Sequence, residues 1–195
     1  SIFDDGVFQA HDLGPGMCLI DKWIRTKSKK KYDDKGNLAR SGKVNQKIFD
    51  EAKRKWMFTA NTKSRKSLDI KEMELYFIDS NFLKGLTLED GAATLTAFTI
   101  EILTEILPVI LGSEQMHHRY ILCGGGRKND FLVKSIDRLV RSPELIDDYG
   151  IDGDFVESQA FAYLAIRSFL KLPISFPETT GCKKPCSGGI VVKNF

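Results

Sequence analysis

The chain has 195 residues, 42% hydrophobic and 28% charged, ordinary globular proportions that exclude a disordered, collagenous or fibrous polypeptide and suit one compact domain. Four scattered cysteines (Cys18, Cys123, Cys182, Cys186) make no disulfide scaffold. No apolar run reaches about 18 residues, and Ser1 to Ala10 lacks the order of a secretory signal, so a soluble cytoplasmic protein with no membrane segment is expected. The net charge of +3 is unevenly spread, since residues 22–71 hold 17 Lys or Arg against 5 Asp or Glu.

In chain order, residues 7–10 read as the end of a strand, and His11-Asp12-Leu13-Gly14-Pro15-Gly16 then forces a tight turn. Met17, Ile20, Trp23 and Ile24 recur at helical spacing. Lys29 to Gly42 is polar and suits an exposed loop, residues 44–58 resume a helical period, and Asn61 to Lys71 is a second polar connection. Thr87 and Asp90 form a capping-box pattern before a helix with Leu95, Phe98, Ile102, Ile106 and Ile110 on its core face; Pro108 is expected to kink or end it, and Gly112 to stop it. Arg119 to Cys123 reads as a buried parallel strand, followed by Gly124-Gly125-Gly126 and a helix from about Asn129 to Val140 with Phe131, Leu132, Ile136, Leu139 and Val140 inward. A last long helix is expected from about Asp154 to Leu170, with Phe155, Phe161, Ala162, Ala165 and Phe169 inward, and Gly189 to Val192 as a terminal strand. The fold class is α/β.

Three stretches have chemical potential. A strand, then Gly124-Gly125-Gly126, then a helix can cradle a nucleotide, because glycines admit close approach of backbone and a helix start offers free amides; a ligand-free tight turn is the alternative. Asp12 sits where a strand ends, where a carboxylate can take a proton from water or can merely close an Asx-turn. Asp154 and Glu157 share the first turn of the last helix, either as ligand groups or as acids complementing the helix dipole. Cys182 and Cys186 lack a second pair of ligands, and His117-His118 lack a partner, so no metal site is expected in the protein itself. The Lys-rich stretch lacks the aromatic spacing of a base-stacking surface, which makes nucleic acid an improbable partner.

Taken in order, Asp12-Leu13-Gly14-Pro15-Gly16 through Trp23, then Asp33, Gly36, Ala39 and Gly42, Asp90-x-x-Ala93-Thr94, Cys123-Gly124-Gly125-Gly126-x-x-Asn129, Gly153-Asp154-x-x-Glu157 and Thr180-Gly181 resemble the C-terminal half of the anhydro-N-acetylmuramic acid kinase family. The resemblance implies the C-terminal lobe of an actin-like/hexokinase (ribonuclease H-like) ATPase fold, with residues 1–195 as one domain. It implies a kinase that uses ATP and Mg to convert 1,6-anhydro-N-acetylmuramic acid to N-acetylmuramic acid 6-phosphate in peptidoglycan recycling. On this analogy Asp12 is the base that activates water, Cys123, Gly124, Gly125, Gly126 and Asn129 line the adenosine site, and Gly14, Gly16 and Glu157 bind the sugar.

The sequence departs from the family pattern at Leu13 and Met17, where the family has Thr and Asn, and at Lys63-Ser64-Arg65-Lys66-Ser67-Leu68, which keeps only the first two residues of Lys-Ser-Thr-Gly-Arg-Glu. The family's N-terminal Gly-Thr-Ser-x-Asp-Gly phosphate loop has no counterpart in these residues. The expectation is therefore a domain inactive alone, whose partners are the sugar, ATP and an N-terminal half supplied in trans, with homodimerisation open. The alternative is a non-catalytic module binding an acidic partner through Lys22 to Lys71.

Overall fold

The spacing of Leu19, Ile20, Trp23 and Ile24 puts four apolar side chains on one side of a helix, and the interior forms against that side. In the computed structural model, which describes residues 1–4, 6–10, 12–62, 85–111, 119–138, 140 and 142–192, they belong to α1 (Cys18–Lys27) and are all buried. An antiparallel hairpin precedes it, β1 (Ile2–Asp4) with β2 (Val7–Gln9), Phe3 opposite Phe8. A 3-10 turn (Asp34–Gly36), α2 (Asn37–Ser41), α3 (Gln46–Thr62) and α4 (Leu88–Leu111) follow. Next, β3 (Ile121–Leu122) pairs in parallel with β4 (Glu144–Leu145); a 3-10 turn (Gly125–Lys128) and α5 (Asp130–Asp137) connect them. A 3-10 turn (Ile146–Tyr149), α6 (Val156–Phe169) and α7 (Pro177–Thr180) follow. The structure is mixed α/β, as expected, and no described helix is long and apolar enough to cross a membrane.

The core joins α1 to α2, α3 and α4 through Trp23, Leu38, Ala52, Trp56, Leu95 and Phe98, with Trp56 and Phe98 edge to face at 6.5 Å. Two glycines let these helices close. A methyl on Gly91 would overlap the Trp23 indole, whose Nε1 donates to the Leu88 carbonyl at 2.9 Å, and a methyl on Gly42 would overlap the Glu89 backbone. Thr87 caps α4 as expected, its hydroxyl accepting from the Asp90 amide at 3.0 Å. The Asp90 carboxylate does not return to Thr87; it accepts from the Lys43 amide at 2.7 Å and ties the start of α3 to α4, as does Thr94, which accepts from the Asn45 amide at 3.0 Å. A second cluster, Leu132, Ile136 and Val140, seats α5 against Ile100, Leu103 and Met17.

Several expectations are corrected. Residues 34–41 of the expected exposed loop fold, because buried Asp33 accepts from the amides of Leu38 and Ala39 at 2.8 and 2.9 Å and pulls both side chains inward. Helix α4 runs through Pro108 to Leu111, so the proline costs the Thr104 carbonyl its amide partner without ending the helix. The β3 strand is parallel but not buried, Ile121 being 44% exposed. Helix α6 buries none of its residues: Phe161 and Phe169, expected inside, are 65% and 68% exposed, and Phe155 lies before the helix, also exposed. Gly189 to Val192 forms no strand, since the tail's pairing among the described residues is a bridge between Ser175 and Cys186. His11, Lys63 to Lys71, Gly112, His117-His118 and Leu139 lie outside the described residues. Within the Lys-rich stretch, Lys53 bonds Glu101 and Glu105, each at 2.6 Å, Lys55 pairs with Glu51, and Lys27 lies over the Trp23 ring.

The segment after β4 is clamped to the glycine turn by Arg127. Its nearly buried side chain donates to Asp147 (2.6 and 2.9 Å), to Asp154 (2.6 Å) and to the Gly124 carbonyl (3.1 Å). Gly153 leaves the room, since a methyl there would overlap the guanidinium.

Gly91→Ala gains about 1 kcal/mol of helix propensity but loses about 1–3 kcal/mol to overpacking against Trp23. Together with the strained indole hydrogen bond, the net is a loss of about 2 kcal/mol, or roughly 4–8 °C in Tm by calorimetry; an unchanged or raised Tm would contradict the packing. Hydrogen bonds from Arg127 hold the carboxyls of Asp147 and Asp154 below their ordinary 3.8. Carboxyls lowered in the folded state stabilise it above pH 3.8, and that stability is lost as pH falls through the folded values. Arg127→Met is therefore expected to be less stable than wild type at pH 7, with the gap closing in acid; parallel urea-denaturation curves between pH 3 and 7 would refute this.

Candidate functional site

Two motifs far apart in sequence meet at one point. The Asp12 turn ends at Met17, which opens α1, and β3 ends at the triple glycine. Gly126 lies so close to Met17 that a methyl on it would stand 3.3 Å from the methionine Cγ. Gly124 has φ +77° and its N–H donates to the Gly153 carbonyl at 3.1 Å, so the chain leaves the strand at an angle that only glycine adopts easily. Beside this contact lies a cavity of about 420 Å³, within the range of small-molecule sites. Met17 and Asp21 line it from the start of α1, residues 32–35 from the loop before α2, and Gly125, Gly126, Lys128 and Asn129 from the glycine turn, together with Asp154.

Asn129, among the residues that line this cavity, is 3% exposed. Its Oδ1 accepts from the Leu132 amide at 2.9 Å and caps α5, which turns its Nδ2 the other way, buried and without a hydrogen-bond partner. The loop before α2 presses directly on it, because a methyl at Gly36 (φ +71°) would overlap Asn129 Oδ1. Lys35 beside it also has a left-handed backbone, φ +54°, a conformation a non-glycine residue adopts at a cost.

Charge in the cavity is mixed and mostly acidic. Lys128 donates to Asp154, whose carboxyl is held low chiefly by Arg127 and then by Lys128. Asp33 is fully engaged by the two α2 amides. Asp21 differs: its Oδ1 is buried without a partner, and burial first, then Asp33, push its carboxyl up against the lowering effect of Arg25. The arrangement holds the unpartnered Asn129 Nδ2 and Asp21 Oδ1, the Lys35 ammonium group, and the Lys128 ammonium group paired with Asp154.

Of the residues expected at the adenosine site, Gly125, Gly126 and Asn129 line this cavity. Cys123 is exposed at the strand end and Gly124 forms the bend behind it; neither borders the cavity. Asp12 is exposed and lies outside the lining, connected to it through Met17. Gly14 is packed on α4, where a methyl would stand 2.9 Å from Ile102 Cγ2; Gly16 has φ +53° and its carbonyl accepts from the Thr99 hydroxyl at 3.1 Å. Glu157 is exposed on α6 and does not reach the cavity, and α6 begins at Val156, so Asp154 precedes the helix instead of sharing its first turn. Sequence reasoning missed Asp21, Lys35 and Lys128 as cavity residues. For Lys128 the position inside the glycine turn was an available signal.

Comparison with known proteins agrees with the ordered motifs. The profile of the family described as anhydro-N-acetylmuramic acid kinase matches residues 2–194. A protein of that name from Pelagibacter ubique is 47% identical over 193 residues, covering 96% of this chain and 49% of its own length. Namesakes from Methylobacterium nodulans and Paramagnetospirillum magneticum are 33% and 35% identical, with 98% and 96% of this chain and 49% and 51% of their own lengths covered. The chain spans about half the length of these relatives and matches their C-terminal half. It belongs to the anhydro-N-acetylmuramic acid kinase family.

Proposed function

We propose that this chain supplies the nucleoside-holding part of an ATP-dependent kinase that acts on 1,6-anhydro-N-acetylmuramic acid in peptidoglycan recycling, in an actin-like lobe that needs a second, phosphate-binding lobe to work. The observation that carries this reading is the cavity at the contact of Met17 with Gly126, backed by the unpartnered Nδ2 of Asn129. Gly125 and Gly126 let backbone approach a ligand, Asn129 Nδ2 can donate to it, and Lys35 and Lys128 supply positive charge on the way out toward phosphates. The donor set fits the nucleoside end of ATP. Magnesium, carried on the phosphates, would neutralise charge as the phosphoryl group moves.

In the reaction this reading implies, a water oxygen bonds to C1 of the sugar, the C1–O6 bond of the anhydro bridge breaks, O6 takes the γ-phosphoryl group, and ADP leaves. Asp12 receives the proton that water gives up. Its exposed position suits a base that acts at the mouth of a cleft completed by another lobe, where positioning and exclusion of water supply most of the rate. Gly14, Gly16 and Glu157 belong on the sugar side of that cleft in this reading.

Titration calorimetry is expected to show ATP binding in the millimolar range, and silence at that concentration would overturn the nucleotide reading. Mixed with ATP and the anhydro-sugar, the chain alone is expected to form negligible phosphosugar. Addition of the N-terminal half of a close relative is expected to restore turnover, and Asp12→Asn to lower the restored kcat by at least about 100-fold without a matching change in ATP affinity. Undiminished turnover by the variant would remove Asp12 from the proton transfer.

A further inference from the structure

Two residues lining the proposed nucleotide cavity each keep a polar atom that the fold leaves unused. Asn129 Nδ2 is one and Asp21 Oδ1 is the other; both are buried, both lack a hydrogen-bond partner, and both residues line the same cavity. Asp21 stands one turn into α1, its amide bonded to the Met17 carbonyl at 2.9 Å, so its backbone is satisfied while its Oδ1 is not. Arg25, one turn further along, is directed to the Lys31 carbonyl at 3.4 Å. A buried carboxylate oxygen without a partner destabilises a fold, and the packing of α1, carried by Leu19, Ile20, Trp23 and Ile24, gives no reason to keep one there.

We infer that Asp21 is a ligand-binding residue of this cavity, accepting a hydrogen bond from a hydroxyl or amine of a nucleoside while Asn129 donates one to the same moiety. The inference rests on the nucleotide reading above and adds to it a residue and a direction of binding. Phosphate oxygens only accept, so they can satisfy Asn129 Nδ2 but bring no donor to an acceptor oxygen of Asp21, which also stands among Asp33, Asp34 and Asp154. A nucleoside presents donors and acceptors side by side, in its ribose hydroxyls and on the edge of an aminated purine. The nucleoside therefore enters toward Asp21, and the phosphates point away from it.

The test is a set of affinities measured by ligand-observed NMR on the full chain, wild type and Asp21→Ala, for ATP, 2′-deoxy-ATP, 3′-deoxy-ATP and the triphosphate of purine riboside, which lacks the 6-amine. Asp21→Ala is expected to raise the Kd for ATP by about tenfold. The one analogue missing the donor that meets Asp21 is expected to bind wild type about tenfold more weakly than ATP and to bind the variant no differently from ATP, which identifies ribose or base as the partner. The unliganded variant is expected to melt at or above the wild-type temperature, because the unpaired oxygen is gone; Asp21→Leu, which likewise offers no acceptor, serves if the alanine variant does not fold. Equal ATP affinity in wild type and variant overturns the inference, as does a variant that binds every analogue more weakly by one common factor. If wild type binds none of the four, it is the nucleotide reading that falls.

Discussion

The carboxamide of Asn129 can face only one way, and the site depends on that. Its oxygen is taken by the Leu132 amide at the start of α5, a bond its nitrogen cannot make, so the same contact that starts the helix leaves the nitrogen unpartnered on a residue that lines the cavity. Around this side chain the rest of the site is placed by contact: Gly36 presses on its oxygen, Gly126 precedes it in the turn and touches Met17, and Met17 begins the helix that brings Asp21. One capped helix start thus aligns segments from three parts of the chain.

Glycines in this protein serve two separate purposes that look alike in a sequence. Gly124 and Gly36 are needed for a left-handed backbone, Gly36 for space as well. Gly14, Gly42 and Gly91 have ordinary backbone angles and are needed because another helix or side chain occupies the space of a methyl group. Several positions that carry the family resemblance, Gly42, Asp90 and Thr94 among them, thereby acquire a packing role: they join the start of α3 to α4, away from the cavity lining. Resemblance at those positions falls on packing contacts, while resemblance at Gly125, Gly126 and Asn129 falls on the cavity lining.

What the sequence made legible follows the range of the interactions involved. Helices α1 and α4 were readable because their apolar spacing and the Thr87 cap are local, and the glycine turn because it lies in one short run. The folding of residues 34–41 was not readable: Asp33 reaches amides five and six residues on, outside the spacing of a capping box. The periodicity of α6 announced an apolar face but carried no information on what covers it, and Phe161 and Phe169 are exposed. Asp21 occupies a helix position where a carboxylate normally meets water. Only the assembled walls show that one oxygen of this carboxylate is shut in.

The contact between Met17 and Gly126 has an evolutionary corollary. Because the thioether stem fills the space in front of the glycine, side-chain volume at the two positions is shared. A lineage that shortens residue 17 frees room for a substituent at 126, and one that enlarges 126 must first trim 17. Across relatives the two sites should drift as a coupled pair, and the width of the slot between turn and glycine bend should be inherited more faithfully than either residue.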